Sequence, residues 1–177
     1  MAPNRPRIID IYENRILTRT ERNEFGKWER GQKELRYRRP VNTLASGLRL
    51  VNLIIDLSVC KALQFVLIKY EILDPTPLMG LLVLFWLPIY YTISEYFFQQ
   101  TIGKFFTNSI VVDEYGDRPD FKTIVVRSVI RIIPFEPFSF LGNDRGWHDA
   151  WTDTYVITRS ELEQIRELMA DPENLDP

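Results

Sequence analysis

Twenty consecutive residues, Pro75 to Ser94, carry no charge, and within them Leu78 to Leu87 reads LMGLLVLFWL. A helix that crosses a bilayer needs roughly 17–25 mostly apolar residues, so this stretch is long enough to span. Upstream, Leu50 to Ile68 has Asp56 and Lys61 as its only charges and extends back to Thr43. Only Lys69 to Asp74 separates the two. A core helix of a soluble protein is apolar along one stripe, whereas Leu78 to Tyr91 is apolar on every face. The pattern predicts an all-α membrane protein. It would consist of a two-helix transmembrane hairpin (residues 43–98), a short amphipathic interfacial helix, and a small β-pair in the cytoplasmic part.

Bulk composition hides this. The chain has 177 residues and a net charge of −2, and a mean hydropathy of −0.16, as in an ordinary soluble protein. That mean combines the apolar middle with two charged flanks. One Cys and one His exclude a disulfide framework and a closed metal site. The balanced charge excludes a wholly basic nucleic-acid binder. No phosphate loop, nucleophile motif or paired catalytic carboxylates occur, so neither an enzyme nor a cofactor is expected.

Lys and Arg set the orientation. Residues 1–42 hold eleven of them against six acids, while the connection has Lys69 against Glu71 and Asp74. This predicts a multi-pass protein of a bacterial-type inner membrane with both termini cytoplasmic. The first 42 residues contain no apolar run that would serve as a signal peptide. They read as a basic cytoplasmic arm, whose Lys27–Arg39 segment suits either anionic headgroups, at about 1 kcal/mol per charge, or a solvated face.

Beyond residue 98 the elements are short. Ser109–Val112 and Thr154–Thr158 read as strands that could pair, with a turn around Gly116. Residues 121–133 have helical spacing and stop at Pro134; Arg127 and Arg131 share one face, opposite Ile124, Val125, Val129 and Ile132. A flat interfacial helix with its arginines toward headgroups fits. Residues 99–159 would form the C-terminal part around it. Ser160 to Glu163 reads as a capping box opening a helix through Met169, within a cytoplasmic helix and acidic tail over 160–177.

Ionisable residues in a membrane segment are costly and mark function or partnership. Arg49, Asn52 and Asp56 lie three and four apart, on one helical face. Asp56 either binds a cation or relays a proton, helped by Asn52 and Glu95, or pairs with Arg49, Arg127 or Arg131. His148 reads as a loop histidine bonded to Asp149 or Asp153.

The sequence resembles the RDD family of small membrane proteins. The resemblance rests on Leu48 to Asp56 (LRLVNLIID), Gln100 to Lys104 (QTIGK), the VVDEYGD turn, Val126-Arg127, and Gly146 to Asp149 (GWHD) followed by TYVI. It implies that Arg49 and Asp56 are the first two residues of the name and Asp149, or else Asp153, the third. It brings Gly103, Lys104 and His148 into a loop contact. Transport of unidentified ligands, including cation/proton exchange, goes with the resemblance. The segment before GWHD is short and basic here, a departure that argues against a third crossing.

Two functions remain. One is an accessory or assembly subunit held by a buried network of Arg49, Asp56, Arg127 and Asp149. The other is an oligomeric ion or solute transporter with Asp56 as its carrier. The expected partners are the bilayer, further copies or other membrane subunits, and no nucleic acid.

Overall fold

The computed structural model describes residues 5–22, 26–70, 79–139 and 145–175. Two compact units divide the chain, residues 1–41 with 164–177, and residues 42–163. The connection at 71–74 and the last two residues of the acidic tail lie outside the described residues.

In the first unit, β1 (Tyr12–Arg22) and β2 (Trp28–Arg38) form an antiparallel hairpin with Tyr12 opposite Arg38 and Arg22 opposite Trp28. The basic arm is therefore folded. Its strands were not anticipated because charges fall on both faces, so no apolar alternation marks them. Ile8, Ile11 and Ile165 are buried here, and Arg38 and Arg7 both pair with Asp10.

The second unit starts with α1 (Ser46–Lys69) and α2 (Met79–Phe98). Next come α3 (Ile102–Phe106), β3 (Ser109–Val112), α4 (Phe121–Ile130) and a 3-10 turn, Glu136–Phe138. The chain continues through α5 (Trp147–Ala150), β4 (Tyr155–Thr158) and α6 (Arg159–Ala170), which runs into the first unit. Strands β3 and β4 pair antiparallel as anticipated, Ser109 opposite Thr158. Leu44, Val111 and Val156 form a small apolar core beside them. Helix α3 packs on α1, and α4 packs on α2.

The all-α two-helix hairpin is thus overturned. Among the described residues six α-helices accompany two antiparallel sheets. Among the described residues one helix, α1, is long and apolar enough to cross a membrane. Its 24 residues rise about 36 Å at 1.5 Å each, against a hydrocarbon core of about 30 Å.

The polarity of α1 is the reverse of a soluble helix. It buries Arg49, Asn52, Asp56 and Cys60 and exposes Leu48, Val51, Ile54, Leu63 and Phe65. The same inversion corrects the expectation for α4. That helix ends at Ile130 and buries Arg127 completely, while Phe121, Val126, Val129 and Ile132 face outward. Its arginines point into the protein, where carboxylates wait for them, and away from headgroups. The cap of α6 also shifts: Thr158 Oγ1, not Ser160, accepts from the Glu161 amide at 3.2 Å.

Candidate functional site

Helices α1 and α2 bring their polar faces against α3, α4 and α5 within the second unit. Glu95, fully buried on α2, holds three cations. Its Oε1 accepts from Lys104 Nζ at 2.5 Å and Arg131 Nη1 at 2.9 Å, and its Oε2 from Arg127 Nε at 3.3 Å. Asp149, fully buried at the start of α5, takes Arg49 Nη1 at 2.5 Å on Oδ2. Arg127 Nη1 lies 2.8 Å from its Oδ1, close in distance but off the hydrogen-bond axis. That nitrogen donates to Thr154 Oγ1. Arg127 thereby links the carboxylates of α2 and α5. Arg131 also stacks over the Tyr91 ring, 4.0 Å from its centroid.

Asp56 takes a different partnership from the arginine expected of it. Its Oδ1 accepts from Tyr90 Oη and from the Gly103 amide, both at 2.8 Å, and its Oδ2 from Thr101 Oγ1 at 2.7 Å. The same groups cap α3. The Ile102 amide donates to Tyr90 Oη at 3.0 Å and the Lys104 amide to Thr101 Oγ1 at 3.3 Å, so the three leading N–H groups all find acceptors. Gly103 is required by contact, since a Cβ there would sit 2.3 Å from the Asn52 carbonyl oxygen. With its amide nitrogen toward the Gly103 carbonyl, Asn52 donates at 2.8 Å, and its side-chain oxygen accepts from Thr107 Oγ1 at 3.0 Å.

His148 lies on α5 and not in a loop, beside Asp149 as expected but bonded to Glu136. Its Nδ1 bonds Glu136 Oε1, and its Nε2 lies 3.3 Å from Asp149 Oδ1. Asp153 is exposed and stands 3.9 Å from Arg145. Phe135, left-handed at φ 69°, turns the chain just before Glu136, which is buried.

Burial lowers the His148 pKa from 6.5 against the pull of Asp149 and Glu136. Burial likewise pushes the Lys104 ammonium down to about 8, although Glu95 favours its charged form. For Asp149, burial opposes ionisation, yet His148, Arg127 and Arg49 hold the carboxyl well below the usual range. Arg131 is desolvated too, but Glu95 more than compensates and raises its pKa.

Nearly every residue singled out from the sequence lies in this cluster: Arg49, Asn52, Asp56, Glu95, Gly103, Lys104, Arg127, Arg131, His148 and Asp149. Sequence reasoning missed Tyr90, Thr101, Glu136 and Thr154. Thr101, two residues before a helical glycine, carried a capping signal; Glu136 is a lone acid in the apolar run RIIPFEPF. Among the described residues no group of three or more His, Cys, Asp or Glu could hold a metal ion.

The RDD family model matches residues 46–153, a range that holds every residue of the cluster except Thr154. The chain therefore belongs to the RDD family, and its second unit is a membrane-associated RDD domain. No curated protein and no solved structure matches the chain.

Proposed function

We propose that this protein is a non-catalytic accessory or assembly subunit of a membrane complex, with its RDD domain as a rigid body pinned by the buried ionic network. It sits in a bacterial-type inner membrane as a multi-pass protein with both termini cytoplasmic. It contacts anionic headgroups and further copies or other membrane subunits. The supporting observation is that the buried charges engage one another. Arg49, Lys104, Arg127 and Arg131 are paired through two carboxylates, Glu95 and Asp149. Asp56 is committed to three donors, leaving it poorly suited to pick up and release a cation. The orientation rests on the excess of Lys and Arg in residues 1–42.

The test is the oligomeric state and co-purifying subunits of the full chain in mild detergent, with flux measured in liposomes. Defined stoichiometric assembly without flux is expected. Asp56→Asn should weaken the assembly and lower stability by about 1–3 kcal/mol, as loss of a buried charged acceptor does. Cation- or pH-driven flux that Asp56→Asn abolishes in a normally folded protein would overturn the reading in favour of transport.

A further inference from the structure

Beside the network is a partly open pocket of about 60 Å³. At about 10–15 Å³ per water on this measure it has room for roughly four to six water-sized positions. Leu53, Leu87 and Val156 form its apolar wall; Arg49, Lys104, Arg131, Asp56, Glu136 and His148 are its charged and titratable lining.

The acceptors and donors in that lining are unequally occupied. Both Asp56 oxygens are taken by hydroxyls and an amide, and Glu136 Oε1 receives His148 and Ser139. The cations draw their carboxylate bonds from Glu95 and Asp149, which do not line the cavity. Arg131 spends one nitrogen on Glu95, and the rest of its planar fork remains for a further acceptor. Behind it, the fully buried Arg127 keeps Nη2 without a hydrogen-bond partner. The wall thus carries three cations, Arg49, Lys104 and Arg131, against two carboxylates, Asp56 and Glu136.

We propose that this pocket binds a small oxyanion of the phosphate class, either free or as a lipid headgroup, held by Arg131 and Lys104 with Arg49 at its edge. Guanidinium forks match such oxygens in pairs, and an ammonium adds a point charge. The proposal goes beyond the assembly role and does not depend on it, because the network pairs its cations through Glu95 and Asp149, which do not line the pocket.

His148 lines the pocket and is the chain's only histidine, so its ring gives one unambiguous NMR signal. The full chain in neutral detergent is titrated with sodium phosphate, then with sodium sulfate, at constant sodium and ionic strength held with chloride. A parallel arm uses short-chain phosphatidylglycerol against phosphatidylcholine.

Saturable movement of the His148 signal by phosphate, with sulfate competing, assigns a free oxyanion. Movement by phosphatidylglycerol alone assigns a headgroup. Arg131→Lys keeps the charge beside Glu95 and removes the fork, so it should weaken the apparent affinity by about tenfold, equivalent to about 1.4 kcal/mol. If that variant does not fold, competition in the wild-type chain decides. No movement of the His148 signal, or a drift that is identical in chloride and does not saturate with any anion or lipid, overturns the proposal.

Discussion

The two units treat their charged residues in opposite ways. Around β1 and β2 the strands present Arg15, Arg19, Arg30, Arg36 and Glu34 outward, while Ile8, Ile11 and Ile165 are buried. In the RDD domain Arg127, Glu95 and Asp149 are fully buried, whereas Val129 is 54% exposed and Phe121, Phe105 and Trp151 are exposed too. Side chains follow their solvent. The hairpin keeps its arginines in solvent although it also exposes Ile16, Leu17 and Trp28, whereas a membrane-associated domain hides its charges. The contrast supports membrane association of the RDD domain independently of hydropathy, because it depends on which face of each helix is buried.

The largest test of that contrast is Arg127→Ala. It strips a counter-charge from both Glu95 and Asp149, and leaving a buried partner uncompensated costs about 3–5 kcal/mol. Chemical unfolding in detergent should show the loss, and a change under 1 kcal/mol would mean that water already reaches the network. Next is Gly103→Ala, where the added carbon meets the α1 backbone. Overpacking of this kind costs about 1–3 kcal/mol, readable as a lowered melting midpoint.

The pH effect should be smaller. His148 has a depressed pKa in the folded protein, so the unfolded chain binds the extra proton as pH drops below 6.5. The stability linked to the neutral ring is complete above that value and is lost as pH falls toward the folded pKa. Melting points at pH 7.5 and 5.5 should differ in that direction, and the His148 NMR titration should have its midpoint below 6.5. Smallest of all is Arg15→Gln on the exposed hairpin, where a change beyond about 0.5 kcal/mol in either direction would contradict a solvated face.

Much of the site was readable before any coordinates. The spacing of Arg49, Asn52 and Asp56 put them on one face of α1, and Arg127 with Arg131 on one face of α4. Spacing fixes which residues share a face, but not which solvent that face meets. The α4 arginines were therefore expected to point outward, toward headgroups. The partners of Asp56 were harder to read, because two hydroxyls and a backbone amide on a five-residue helix leave no periodic trace. In the hairpin, charges on both faces removed the alternation by which a strand is recognised.

Arg49 and Asp149, which meet in a single ion pair, lie 100 residues apart in the chain. A ribosome adding about 5–20 residues per second takes roughly 5–20 s to travel between them. Throughout that interval the guanidinium on α1 has no Asp149 to meet, and Glu95 waits in the same way for Arg127 and Arg131. Synthesis of the first two helices and burial of their charges are separate events in time, so the domain closes electrically only when nearly all of it has been synthesised.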